Sequence, residues 1–245
     1  TDHVVGAEAT APAAEKDPAT GRIVTVDQAS GDRVLERLVE PAAGGSNEIV
    51  FIDTSVQGYE TLLTGVKPDA GIVLLDPTRD GVDQITAFLS HEQKVDAIHL
   101  VSHGNAGMLQ IGTSQVDVLS MATTYAEQLA EIGKHLSQDA DILVYGCDFG
   151  QGAMGNAAAT ELSWLTGADV ASSTDLTGQA DMGGDWTLER GVGTIESELA
   201  FSEHAQKMFH GVFETLDWDT ADCTAAFSTG TGTASQSFAT GSGNV

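Results

Sequence analysis

The chain has 245 residues, with 36 acidic against 10 basic side chains and a formal net charge of -26. That length holds one domain with a real core and leaves chain over for flanking segments. The charge argues against nucleic acid and anionic membrane as partners, because phosphate binding needs clustered Lys and Arg. It suits a protein working in salty or calcium-containing surroundings.

No run approaches the ~18 consecutive apolar residues of a membrane span, so no membrane insertion is expected. The first residues lack the basic and apolar parts of a signal peptide, and the chain reads as a fragment or mature segment. Two cysteines, Cys147 and Cys223, are too few for a disulfide framework. One bridge between them is open to the chain, but Cys147 follows an apolar run and Cys223 lies in a polar stretch, so Cys147 reads rather as a thiol, catalytic or inert.

Residues 1–46 are rich in Ala, Thr, Pro, Gly and charge, and read as an extension or pro-segment. Within them, residues 22–26 have the composition of a short strand and 33–39 that of a short helix. Gly44-Gly45-Ser46-Asn47 then punctuates the start of a main domain, 47–213. Apolar runs at 48–53, 71–76, 95–102, 141–145 and 169–172 predict five strands. Helical spacing appears at 57–65, 80–89, 125–136 and 153–166, and an alternating excursion at 108–118. Short edge strands are expected at 185–189 and beyond, and a closing helix at 202–210. Residues 214–245 turn rich in Thr, Ser and Gly, as a linker or the start of a following β module. Apolar strands alternating with helices imply an α/β fold, with a mostly parallel sheet carrying helices on both faces.

In such a sheet, reactive groups collect beyond the carboxyl ends of the strands. His103 directly follows the third strand and Cys147 the fourth. If those strands are neighbours, both side chains enter one crevice. There an imidazole can take the thiol proton or, once protonated, hold the thiolate. Gly104 and Gly146 would leave room for close substrate approach. The amides of Gly104 and Cys147 would supply an oxyanion hole.

These blocks, Ile98-His99-Leu100-Val101-Ser102-His103-Gly104 and Val144-Tyr145-Gly146-Cys147, resemble those of caspase-like (clan CD) cysteine peptidases. The spacing, 147 − 103 = 44 positions, is near the roughly 50 of caspases. A closer resemblance is to the uncharacterised caspase-like domain near the N-terminus of very large bacterial surface proteins and adhesins. Its blocks resemble Val50-Phe51-Ile52-Asp53, Leu176-Thr177-Gly178 and Gly183-Gly184-Asp185-Trp186, over about residues 48–212. The resemblance implies a caspase-hemoglobinase-like fold and an extracellular or cell-surface setting. It implies a polypeptide substrate, which could be the parent chain itself. No cofactor is required by the dyad. Asp148-Phe149-Gly150 departs from the caspase pattern after the cysteine, so the caspase preference for Asp is not carried over.

Around the dyad, His99 lies roughly 13 Å along the strand from His103, too far to share a zinc ion, and reads as a core histidine. Asp53 would orient His103, cap a helix or bind a cation. The loop with Ser173 and Asp175 should border the crevice. In caspase-like peptidases this region lines the pocket before the scissile bond, so Asp175 would select Arg or Lys there. Arg33, Arg37 and Lys207 are then candidate self-cleavage sites. The carboxylates, with Asp181 and Asp185, could also hold calcium, though no EF-hand spacing is present and no metal ligand set is assigned. The rival expectation is a non-catalytic structural or protein-binding module of an adhesin.

Overall fold

From residue 48 onward each apolar run folds as a strand, and the segments between them follow their own periodicity. The computed structural model describes residues 14–16, 23–25, 46–68 and 70–213. The chain divides into two units, Thr1–Thr215 and Leu216–Val245. The second unit, the expected helix at 33–39, Arg33, Arg37 and the expected linker at 214–245 all lie outside the described residues.

β1 (Ala14–Lys16) and β2 (Ile23–Thr25) pair antiparallel. There follow β3 (Glu48–Asp53), α1 (Tyr59–Leu63), β4 (Gly71–Leu75), α2 (Gly81–Leu89) and β5 (Val95–Val101). β6 (His103–Asn105), β7 (Met108–Ile111) and β8 (Ser114–Asp117) form a small antiparallel sheet from the predicted excursion. Then come α3 (Val118–Thr123), α4 (Ala126–His135), β9 (Leu136–Val144), α5 (Gly152–Thr166) and β10 (Asp169–Ser172). β11 (Arg190–Val192) and α6 (Glu203–Met208) complete the order.

The main sheet runs β11-β10-β9-β5-β3-β4, parallel except for the antiparallel edge strand β11. Period-two alternation sends Ile49, Phe51, Ile98, Ile142 and Val144 to one face, where α2, α4 and α5 cover them. Val50, Ile52, Ala97, Leu143 and Tyr145 point to the other, under Leu62 of α1 and Phe201, Phe209 and Phe213. The fold is therefore the expected α/β arrangement, a mostly parallel sheet with helices on both faces. Among the described residues, no helix is long and apolar enough to cross a membrane.

Some elements differ from expectation, among them helix α3, which falls between the expected excursion and the helix at 125–136. β9 begins at Leu136 rather than 141, because Leu136 fits the spacing of the preceding helix and exposed Gln138 and Asp139 separate it from the apolar run. Of the edge strands expected at 185–189 and beyond, one forms at 190–192 and none at 185–189. There the Asp185 carboxylate accepts from its own Thr187 amide at 2.7 Å, a local turn that competes with a ladder.

Candidate active site

β5 and β9 are direct parallel neighbours, with Leu100 opposite Val144 and the Tyr145 amide donating to Leu100 O at 3.0 Å. His103 lies three positions past Leu100 and Cys147 three past Val144, so the two leave the same sheet edge in step. Gly104 and Gly146 make this possible in a way the sequence reading did not anticipate. A Cβ on Gly104 would lie 2.7 Å from both Cys147 O and Gly146 C, so the two strand ends pack backbone against backbone.

The imidazole of His103 is oriented by the main chain. Its Nε2 lies 3.5 Å from the carbonyl oxygen of Ser55, which follows β3 on the same edge. A carbonyl only accepts, so this contact favours the Nε2–H tautomer and leaves Nδ1 as the basic nitrogen. Nδ1 is buried and has no hydrogen-bond partner among the described residues. Asp53 acts one step back. Its fully buried carboxylate accepts from Ser55 N at 2.8 Å and from Gly112 N, shaping the turn that presents the Ser55 carbonyl. Sequence reasoning found Asp53 but not Ser55, since every residue has a carbonyl.

Cys147 is completely buried. Its sulfur accepts from Thr177 N at 3.2 Å and lies 3.6 Å from Thr177 O. The amides of Gly104 and Cys147, from two different strand ends, both donate to one oxygen, the carbonyl of Phe213, at 2.8 and 3.4 Å. The chain around Phe213 runs antiparallel to Thr177–Gln179. Phe213 N donates to Thr177 O at 3.1 Å, Gln179 N donates to Gly211 O at 2.8 Å, and Val212 pairs with Gly178. Asp148, next to the thiol, holds a left-handed φ of 58°, a backbone state that asparagine and aspartate tolerate best. Burial pushes its carboxyl above the ordinary carboxylate range.

Residues 49–213 match the family described as a domain of unknown function, DUF4347. The chain belongs to the DUF4347 family. No curated protein matches it. The match ends at Phe213, the residue whose carbonyl meets the two amides.

Ser173 and Asp175 of this DUF4347 domain sit beside the Cys147 loop. Buried Ser173 accepts from Gly150 N at 2.7 Å through its carbonyl, and its hydroxyl donates to Asp175 O at 2.9 Å. Asp175 O in turn accepts from Asp148 N at 2.8 Å, so the main chain of Asp175 braces the loop while its side chain is exposed. Partial burial, then the Glu189 and Asp185 carboxylates nearby, push Asp175 above its usual range. Asp181 lies in a short 3-10 turn, Ala180–Met182, outside this group.

Two carboxylate trios among the described residues are close enough to hold a metal ion, with ligand oxygens within 4.8 Å of one another. Asp175, Asp185 and Glu189 form an exposed one. Asp141, Asp169 and Glu196 form the other, with Asp141 within β9, Asp169 opposite it as the first residue of β10, and Glu196 in the chain after β11. Buried Asp141 accepts from the Glu196 and Ser197 amides through Oδ2, at 3.0 and 2.8 Å. Its Oδ1 has no partner among the described residues.

His99 is a satisfied core histidine. Its Nδ1 meets Tyr145 Oη and its Nε2 meets Glu48 Oε2, each at 3.1 Å, while Tyr145 Oη accepts from Ala200 N at 2.9 Å. Burial outweighs Glu48 and holds His99 below the ordinary histidine range.

Proposed function

We propose that this DUF4347 domain is a cysteine endopeptidase of caspase-like type, acting outside the cell or at its surface and processing the protein that carries it. One observation carries the proposal. Two main-chain amides, one of them that of Cys147 itself, converge on a single carbonyl oxygen at the strand edge that also presents His103. Donors so placed stabilise the negative oxygen that develops when a thiolate attacks a carbonyl, and removing one such donor typically costs about 10²–10³ in rate.

In this reading Cys147 is the nucleophile, and His103 Nδ1 takes its proton and returns it to the leaving amine. The Ser55 carbonyl and Asp53 keep the imidazole turned for this transfer. The dyad needs no cofactor. Calcium would act from a distance, through one of the carboxylate trios, whose all-oxygen donor set suits a hard cation. The exposed trio of Asp175, Asp185 and Glu189 is what supports a preference for a basic residue near the bond cut.

A peptidyl acyloxymethyl ketone tests the proposal. Of two versions, with Phe or with Arg beside the warhead, at least one should add its mass to Cys147, and Cys147→Ala and His103→Ala should abolish that labelling. Complete burial of Cys147 favours a second reading, a non-catalytic module of an adhesin, and absence of labelling with and without calcium would establish that one instead.

A further inference from the structure

We infer that the segment Gly211–Phe213 is the domain's own substrate, and that the Phe213–Glu214 peptide is the bond cut; the inference rests on the peptidase reading above. A strand that merely completed a sheet would place its carbonyls in a ladder, each meeting one amide from one neighbour. Phe213 O instead receives two amides, Gly104 N from the start of β6 and Cys147 N from the loop after β9. The residues before it are held as an extended peptide is held by strand addition. Phe213 N donates to Thr177 O, Val212 faces Gly178, and Gly211 O accepts from Gln179 N. Gly178 is built for this approach. It has φ +135°, and a Cβ there would fall 2.3 Å from Gly211 O.

The pocket reads the residue before the bond, and it is aromatic. The Phe213 side chain is completely buried, edge-on to Trp186 at 5.7 Å and against Phe209 at 5.0 Å between centroids. Trp186 is fixed in turn by Tyr145, Phe201 and Phe209. A guanidinium or ammonium in that place would lose its water among apolar rings. Asp175, which would have to neutralise it, is exposed. The specificity assigned here is therefore for phenylalanine or a similar ring, and the basic-residue preference is the alternative under test.

The chemistry balances as a hydrolysis. The Cys147 thiolate adds to the Phe213 carbonyl carbon, and the oxygen takes the charge against the two amides. The C–N bond to Glu214 breaks as His103 passes the thiol proton to the departing nitrogen, leaving Phe213 as a thioester on Cys147. Water, deprotonated by His103, then adds to the thioester. The products are a Phe213 carboxylate, the restored thiol and a released piece beginning at Glu214.

The full chain is incubated with calcium and, separately, with a chelator, and its fragments are weighed and their ends sequenced. Cleavage is expected between Phe213 and Glu214, with Cys147→Ala and His103→Ala staying intact. Glu214→Pro, which keeps the Phe213 side chain but removes the leaving N–H, should also stay intact. Near-ultraviolet circular dichroism of each variant establishes that it is folded. Cys147-dependent cleavage elsewhere, after Lys207 for example, overturns this inference and leaves the peptidase reading standing. Folded, intact wild-type chain in both conditions overturns the inference, and the labelling experiment then decides the peptidase reading separately.

Discussion

Gly178→Ala separates a docked substrate strand from a merely adjacent one. At φ +135° a residue with a Cβ carries backbone strain of about 1–3 kcal/mol. The new methyl would sit 2.3 Å from Gly211 O, and reaching ordinary contact at 3.4 Å requires a retreat of 3.4 − 2.3 = 1.1 Å. Such a retreat breaks the Gln179 N–Gly211 O and Phe213 N–Thr177 O bonds, now 2.8 and 3.1 Å. At about 0.5–1.5 kcal/mol each, the total comes to about 2–6 kcal/mol. Gly183→Ala is the comparator. It has φ +87°, but its nearest neighbour is 4.0 Å away, so only strain of about 1–2 kcal/mol applies. Urea denaturation measures the stability of both variants, and amide exchange reports the Phe213 N–H. The reasoning predicts that Gly178→Ala loses Phe213 protection and own-chain cleavage while Gly183→Ala keeps both. It is refuted if Gly178→Ala matches the wild type in midpoint and in protection.

Tyr145→Phe strips a hydroxyl that serves both Ala200 N and His99 Nδ1, and leaving two buried polar groups unpaired should destabilise the fold by about 2–4 kcal/mol in urea denaturation. A change within about 0.5 kcal/mol would contradict that network. Stability should also fall in acid because of His99. The ring is held below its ordinary 6.5 in the folded chain, so the unfolded chain takes up a proton that the buried ring resists. The contribution is complete above pH 6.5 and is lost as pH falls through the depressed folded value. Subtracting the His99→Gln profile should isolate that slope, and parallel profiles would exclude it. For calcium, the wild-type melting temperature should rise with added ion, by the equivalent of about 2.7 kcal/mol at a hundredfold excess over Kd. Asp169→Asn should abolish the rise if the Asp141 trio is the site, and Asp185→Asn if the exposed trio is.

The sheet was legible because its central strands are buried on both faces and so read as unbroken apolar runs. The same logic put His103 and Cys147 at strand ends, and the equal offset from Leu100 and Val144 turns that placement into a shared edge. Polar residues at the start of β9 hid its true beginning. Two features of the site had no sequence signal. The group that orients His103 is a main-chain carbonyl, Ser55 O, which residue identity does not encode. The occupant of the twin amides returns from Phe213, 213 − 177 = 36 positions beyond the Thr177 strand it pairs with. Acidic Asp175 was visible beside the expected pocket, whereas the rings around Phe213 come from Trp186 and Phe209, scattered along the chain and gathered only by folding.

The claim at the centre, that Cys147 attacks a peptide carbonyl, is tested most directly by trapping its thioester. The wild-type chain is incubated with hydroxylamine present, and the newly formed C-terminus is weighed. A thioester on Cys147 gives a hydroxamate at that terminus, and Cys147→Ala gives no new terminus at all. Plain carboxylate termini that appear equally in wild-type and Cys147→Ala chains would contradict the account.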